Sequence, residues 1–168
     1  MVAGLTRIVR HQLQRLRSAH RLFTPAILAD IETEIGLAER GHSGEIRFVI
    51  ETHLSLDALW HGLTPRARAL QVFAALGVWD TSANNGVLIY LLLADRSVEI
   101  VADRGIAARV PQSEWEAVCR QIETQYAAGR YGEASCAAVR AVGRHLADHF
   151  PAGNGNGTNE LPNQPVLL

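Results

Sequence analysis

A chain of 168 residues suits one domain and is short for two. With 48% apolar and 20% charged residues its composition is globular, and a formal net charge of −1 excludes the global basic field of a nucleic-acid binder. All sixteen basic residues are Arg, and the only cysteines, Cys119 and Cys136, form no C-x-x-C pair and read as small buried thiols in a reducing compartment, or else as a disulfide between neighbouring helices.

Residues 1–22 form the first segment. Arg7, Arg10, Arg15, Arg17 and Arg21 occur with no acid before Asp30, and Leu5, Ile8, Val9 and Leu16 fall at helical spacing. This is a basic amphipathic helical arm. It suits an anionic membrane surface or a protein partner reached through residues 1–21, or else packing on its own domain with solvated Arg. Without residues 1–21 the chain keeps eleven Arg against seventeen acids, a net charge of −6.

Residues 23–150 form the domain. Thr24-Pro25 is a hydroxyl cap followed by Pro at the first helical position, and Ile27, Ile31, Ile35 and Ala38 mark the apolar stripe of a helix ending near Gly41. Glu45 to Glu51 alternates, with Ile46, Phe48 and Ile50 on one face and Glu45, Arg47, Val49 and Glu51 on the other. Thr64-Pro65 starts a second capped helix whose Leu70, Phe73 and Ala74 are expected inside, with Gly77 as its end. Asn85 to Ala94 is apolar on both faces, so it needs helices above and below a sheet. Ala94-Asp95-Arg96-Ser97 turns the chain into a return strand, Val98 to Asp103. Ser113 and Glu116 read as a capping box, with Trp115, Val118, Cys119, Ile122 and Tyr126 as the buried stripe that follows. After the turn Gly129-Arg130-Tyr131-Gly132 a last helix runs to about Phe150, with Ala138, Ala141, Val142 and Leu146 inside. Trp60, Trp79 and Trp115 are spread out and read as structural.

The strand–helix–strand unit is expected to form a parallel crossover, with the third strand antiparallel beside the second. Helices on both faces then give a three-layer α/β/α sandwich around a small mixed sheet. From Pro151 the tail is rich in Pro, Gly and Asn and is expected to be disordered. Its Gly153-Asn154-Gly155-Asn156-Gly157 run follows no strand, so it is no nucleotide loop, and Asn156-Gly157-Thr158 reads as a chance glycosylation triplet. No run approaches about eighteen apolar residues and no signal peptide is evident. The expected compartment is the cytoplasm, with peripheral attachment to the inner membrane open to the basic arm.

In that topology Glu45, Asn84, Asn85 and Asp103 converge at one end of the sheet. Asp80 lies in the loop before them and Arg104 follows directly. Carboxylate and amide oxygens are the ligands that calcium or magnesium takes. Glu45, Asp80, Asn84, Asn85 and Asp103 are therefore the candidate metal ligands, with Asp103 and Arg104 the candidate catalytic pair and Arg104 the phosphate contact. Turn formation alone also explains Asp and Asn before Gly. The segment from Asp80 is no EF-hand loop, because its sixth position is Asn85 and its twelfth Leu91. His145 and His149 have metal-compatible spacing but no third ligand, and fit a helix C-terminus equally. His53 and His61 sit in a loop and pair with no nucleophile. No nucleophile elbow, P-loop or dinucleotide fingerprint is present.

Three runs resemble the TPM domain family: Gly44-Glu45-Ile46-Arg47-Phe48-Val49, Asn85-Gly86-Val87-Leu88-Ile89-Tyr90-Leu91 and Val98-Glu99-Ile100-Val101. The helical segment from Trp115 through Gly129-Arg130-Tyr131 to His149-Phe150-Pro151 extends the likeness, which covers about residues 25 to 151. It is similar in particular to short bacterial members without signal peptide or membrane anchor. The resemblance implies an α/β/α sandwich, and in some members calcium binding or acid phosphatase activity. The family's Asp-Asn-Gly stands here as Asn84-Asn85-Gly86, and its Gly-aromatic-Gly as Asp103-Arg104-Gly105. The site loses one carboxylate and gains another. Two functions follow: a calcium or magnesium site with weak phosphomonoester hydrolysis, or a non-catalytic interaction module at a membrane surface or in an envelope or repair complex.

Overall fold

The computed structural model describes residues 2–15, 19–153 and 159–168. Leu16 and Arg17 of the expected arm, and Asn154 to Thr158 with the Gly/Asn-rich run and the glycosylation triplet, lie outside the described residues.

Helix α1 (Val2–Arg15) precedes α2 (Pro25–Ala38), which leads into β1 (Glu45–Glu51). A short helix α3 (Leu56–Trp60) and α4 (Pro65–Ala75) carry the chain over to β2 (Gly86–Leu92), and β3 (Ser97–Ala102) returns beside it. The one-turn α5 (Arg104–Ala107), then α6 (Gln112–Ala127) and α7 (Tyr131–His149), complete the helices, and β4 (Val166–Leu167) closes the chain. The sheet order is β3-β2-β1-β4. β1 and β2 are parallel with Glu45 opposite Gly86, β2 and β3 antiparallel with Val87 opposite Ala102.

The two expected Thr-Pro starts hold: Thr24 and Thr64 each accept a hydrogen bond from the amide three residues on, from Ile27 and Ala67. The capping box does not form. α6 begins two residues earlier than expected, at Gln112, which places Ser113 inside the helix, and Pro111 at the cap position has no side-chain bond to offer.

β2 divides its side chains between two cores, as its unbroken apolar run requires. Val87, Ile89 and Leu91 pack with Ile46, Phe48 and Ile50 of β1 against Ile31, Ile35, Trp115, Ile122, Val142 and Leu146 from α2, α6 and α7. Leu88, Tyr90 and Leu92 pack with Val49 against Leu54, Leu59, Ala69, Val72 and Val78 on the other face. The result is a mixed sheet between two helical layers. On α4 the buried positions are Ala69 and Val72, so the expected inward Leu70 and Ala74 face solvent instead. In this orientation Arg68 reaches Glu51 on β1 (2.8 Å). Trp115 is buried, but Trp60 and Trp79 are exposed, which corrects their structural reading.

All seven residues of β1 are buried, the charged ones included. The cover over Glu45 and Arg47 is residues 159–168, which corrects the expectation of a disordered tail at these positions. Glu45 accepts the amides of Glu160 and Leu161, each at 3.2 Å. Arg47 donates to the carbonyls of Pro162 and Gln164. Val166 and Leu167 then pair in parallel with Val49 and Ile50. Further along, Glu51 accepts Tyr90 Oη at 2.6 Å and the Arg68 fork, so each polar side chain of β1 has a partner.

Candidate functional site

The polar corner lies where β1 and β2 begin and β3 ends. Two glycines let the backbone close there. A Cβ on Gly86 would meet the Val78 carbonyl oxygen at 2.0 Å, and one on Gly105 would meet the Asn84 and Ala83 carbonyl oxygens at 2.5 and 2.8 Å. The start of α5 therefore abuts the loop before β2, and the Gly105 amide donates to the Asn84 carbonyl at 2.8 Å. Asn84 sits at φ 52°, a left-handed conformation that Asn tolerates.

The corner brings Asn84, Asp103 and Arg104 into contact, with Asn85 beside them in the chain at the start of β2. Asp103 donates its amide to the Gly86 carbonyl (2.9 Å) and caps α5, its Oδ1 accepting the Arg104 amide at 2.7 Å. Arg104 Nε donates to Asn84 Oδ1 at 2.8 Å, and the guanidinium is otherwise exposed. Asn85 is fully buried, and its Nδ2 donates to the Ser43 carbonyl at 3.0 Å. A carbonyl can only accept, so this bond fixes the amide and directs Oδ1 away from Ser43. Two buried acceptors are then left without a hydrogen-bond partner, Asn85 Oδ1 and Asp103 Oδ2. An unpaired buried acceptor costs about 1–3 kcal/mol, so each of these two is a place for a water or an ion.

The other two candidates are placed differently. Glu45 stands opposite Gly86 in the β1–β2 register, but its carboxylate is engaged by the Glu160 and Leu161 amides. Burial holds Glu45 above the usual carboxylate range and the charge of Glu160 adds to this, while the two amides pull it back. Asp80 is exposed in the turn after α4, where its amide donates to the Gly77 carbonyl, and no contact ties its side chain to Asn85 or Asp103. Among the described residues no group of three or more His, Cys, Asp or Glu side chains is disposed to hold a metal. Any cation here would take amide and backbone oxygens beside a single carboxylate.

Among the described residues the other titratable groups offer no activated nucleophile. Burial pushes the Cys119 thiol up to about 12 and raises Cys136 as well, and both thiols are free. His145 packs its ring edgewise on Trp115 at 4.9 Å. His61, in the turn directly after α3, is hydrogen-bonded to the Asp57 carbonyl at 2.9 Å, which agrees with the loop expected there.

Sequence reasoning missed three groups: Glu160, which holds Ser82 of the corner loop (2.8 Å); the Glu51–Arg68–Tyr90 network; and Asp95. Asp95 receives Arg7 (2.7 Å) and Arg10, and His11 Nε2 lies 3.1 Å away. Burial works to raise the Asp95 pKa, but Arg7 and His11 outweigh it and hold it low. His11 is lowered by burial, and its Nδ1 accepts the Leu54 amide, so the neutral ring carries its proton on Nε2, toward Asp95. The signal for Asp95 was present in the sequence, since an arm with several Arg and no acid needs a carboxylate from elsewhere.

The TPM domain model matches residues 17–145, most of the chain. The chain belongs to the TPM domain family. Among solved structures it is similar to the BA42 protein of the psychrophilic bacterium Bizionia argentinensis, with 30% identity, a TM-score of 0.73, and coverage of 86% of this chain and 94% of that one. The N-terminal domain of a P. gingivalis protein shares the fold at 20% identity and a TM-score of 0.62, over 79% of this chain and 83% of that domain. No curated protein matches the chain. No described helix of this TPM domain is long and apolar enough to cross a membrane.

Proposed function

We propose that this TPM domain binds a divalent cation, calcium or magnesium, at the corner formed by Asn85 and Asp103. The observation that carries this reading is the pair of buried, unpartnered acceptors at one end of the sheet, Asn85 Oδ1 and Asp103 Oδ2. Hard oxygen donors of this kind suit calcium or magnesium, not a softer metal. Asn85 and Asp103 would hold the cation, helped by backbone carbonyls of the loop before β2. With one carboxylate and an adjacent guanidinium the site is weakly charged, so affinity near about 10⁻³ M is expected.

A cation there would supply positive charge to a phosphoryl oxygen and acidify a water. Arg104 keeps its terminal N–H groups exposed and would orient a phosphate beside it. Weak phosphomonoester hydrolysis is the activity this arrangement supports, since no side-chain nucleophile stands ready.

Backbone amide NMR during calcium and magnesium titration tests the reading. Saturable shifts centred on residues 80–86 and 103–105 are expected. Asp103→Asn, which keeps the α5 cap, should abolish them with the rest of the spectrum unchanged. Saturable shifts that persist in Asp103→Asn, or none in the parent at millimolar cation, would remove the proposal. If binding holds, cation-dependent hydrolysis of an aryl phosphate should fall in Arg104→Gln.

A further inference from the structure

Helix α1 is amphipathic in the reverse sense. Its inner side carries buried His11 with Arg7 and Ile8 half-buried, and Asp95 holds the polar groups of that side. Its outer side carries Leu5, Val9 and Leu13 at four-residue spacing, 65%, 51% and 59% exposed. A helix on a globular domain ordinarily turns that stripe to the core.

Residues 54–63 run alongside α1. The Leu54 amide donates to His11 Nδ1 at 2.9 Å, and Arg7 donates to the Leu63 carbonyl at 2.8 Å. Helix α3, within this segment, leaves Leu56 and Trp60 exposed, Trp60 at 81%. Two neighbouring helices thus present five large apolar side chains to solvent, a concentration that marks an interaction surface.

Charge selects the occupant. The first 29 residues hold five Arg and no acid, while the rest of the chain is acidic. Arg15 is exposed on α1, Arg10 is half exposed but paired with Asp95, and on α3 the exposed Asp57 lies 3.4 Å from His61. A second copy placed face to face would set one Arg-rich helix against another, which like charges oppose. An anionic lipid surface offers phosphates to the Arg, an acyl boundary to the Leu and Val, and the interfacial setting in which Trp is enriched.

We propose that α1 and α3 form a docking platform for an anionic bilayer. Leu5, Val9, Leu13 and Trp60 enter the boundary between headgroups and acyl chains, and Arg15 meets a lipid phosphate while Arg10 stays on Asp95. This goes beyond the cation site and stands or falls separately from it.

The test is co-sedimentation of the full chain with vesicles of phosphatidylglycerol and phosphatidylcholine, and with phosphatidylcholine alone, in the presence of a chelator. Binding to the anionic vesicles only, weakened by salt, is expected. Tryptophan emission should shift to the blue on binding, and Trp60→Phe should remove most of that shift. The double variant Leu5→Gln/Leu13→Gln, altered only at exposed positions, should keep its circular dichroism and bind roughly tenfold more weakly or less. Undiminished sedimentation of that variant, equal binding to neutral vesicles, no binding by the parent, or a dimer that the double variant dissolves would each overturn the proposal.

Discussion

Glu45→Gln separates the two jobs this residue could have. In the structure its carboxylate is buried and accepts two amides, those of Glu160 and Leu161, at 3.2 Å each. Gln keeps one acceptor oxygen and turns an NH2 group toward the other amide. One charge-assisted hydrogen bond is lost, worth about 1.5–3 kcal/mol. Part of this is returned, because the carboxylate is held unfavourably by burial and by Glu160, and Gln is free of both penalties. The net loss is about 1–2 kcal/mol, or roughly a 5- to 30-fold change in an equilibrium. It falls on the docking of residues 159–168, so the assay is native-state hydrogen exchange resolved by residue. Exchange at Glu160, Leu161 and Leu168 should accelerate by that factor, while the amides of β2 stay protected. Cation affinity at Asn85 and Asp103 should change less than threefold, since Glu45 is committed elsewhere. Parent-like exchange in residues 159–168 would refute the latch. A tenfold loss of cation affinity would instead make Glu45 a ligand.

Two further outcomes follow from the charges. Burial pushes Glu39 from 4.5 to about 7, where its carboxylate accepts the Ile46 amide. The folded state therefore holds this proton more tightly than the unfolded one, so its contribution to stability is complete below pH 4.5 and is lost as the pH rises through about 7. His11 and His42, lowered by burial, act in the opposite sense below about pH 6.5. The measurement is accordingly the difference in urea-unfolding free energy between parent and Glu39→Gln. That difference should fall from pH 4.5 to 7, and a flat difference would exclude the assignment. Asp95→Ala strips Arg7 and His11 of their shared partner and should cost about 2–4 kcal/mol, with α1 amides exchanging first. A loss below about 0.5 kcal/mol would place these pairs among solvated surface contacts.

The layers of the fold were legible because they rest on local signals that tertiary packing had no reason to override. Val87 to Leu92 cannot expose either face, so a strand with two covers was required, and both cores are observed. Thr24-Pro25 and Thr64-Pro65 start helices through their own backbone chemistry. Rotations were less legible. Leu70 and Ala69 are both apolar and adjacent, and it is Ala69 that faces inward, in the rotation that also lets Arg68 meet Glu51 on the sheet face α4 covers. α1 shows the same limit more strongly. Its helical spacing left open whether the stripe faces the domain or a partner. Arg7, Arg10 and His11 meet the single carboxylate of Asp95, and of the stripe Ile8 goes inward while Leu5 and Val9 stay exposed.

The candidate site divides along the same line. Asn84-Asn85-Gly86 and Asp103-Arg104-Gly105 could be paired from sequence because the expected topology sets the start of the second strand beside the end of the third, and the structure has the Gly105 amide on the Asn84 carbonyl at 2.8 Å. Glu45 belonged to that corner by strand register, and it does lie opposite Gly86. What sequence could not supply is the cover on its face. The polar half of β1 states only that something polar must meet it. The answer is main chain: two amides for Glu45, two carbonyls for Arg47, and a short ladder beyond. Backbone donors and acceptors are present in every segment of every sequence, so no residue pattern in 159–168 announces the match. A Pro, Gly and Asn-rich segment reads as disordered when judged by its side chains. Here the side chains of β1 select it by its backbone, and that choice takes Glu45 away from the corner and leaves Asp103 as its central carboxylate.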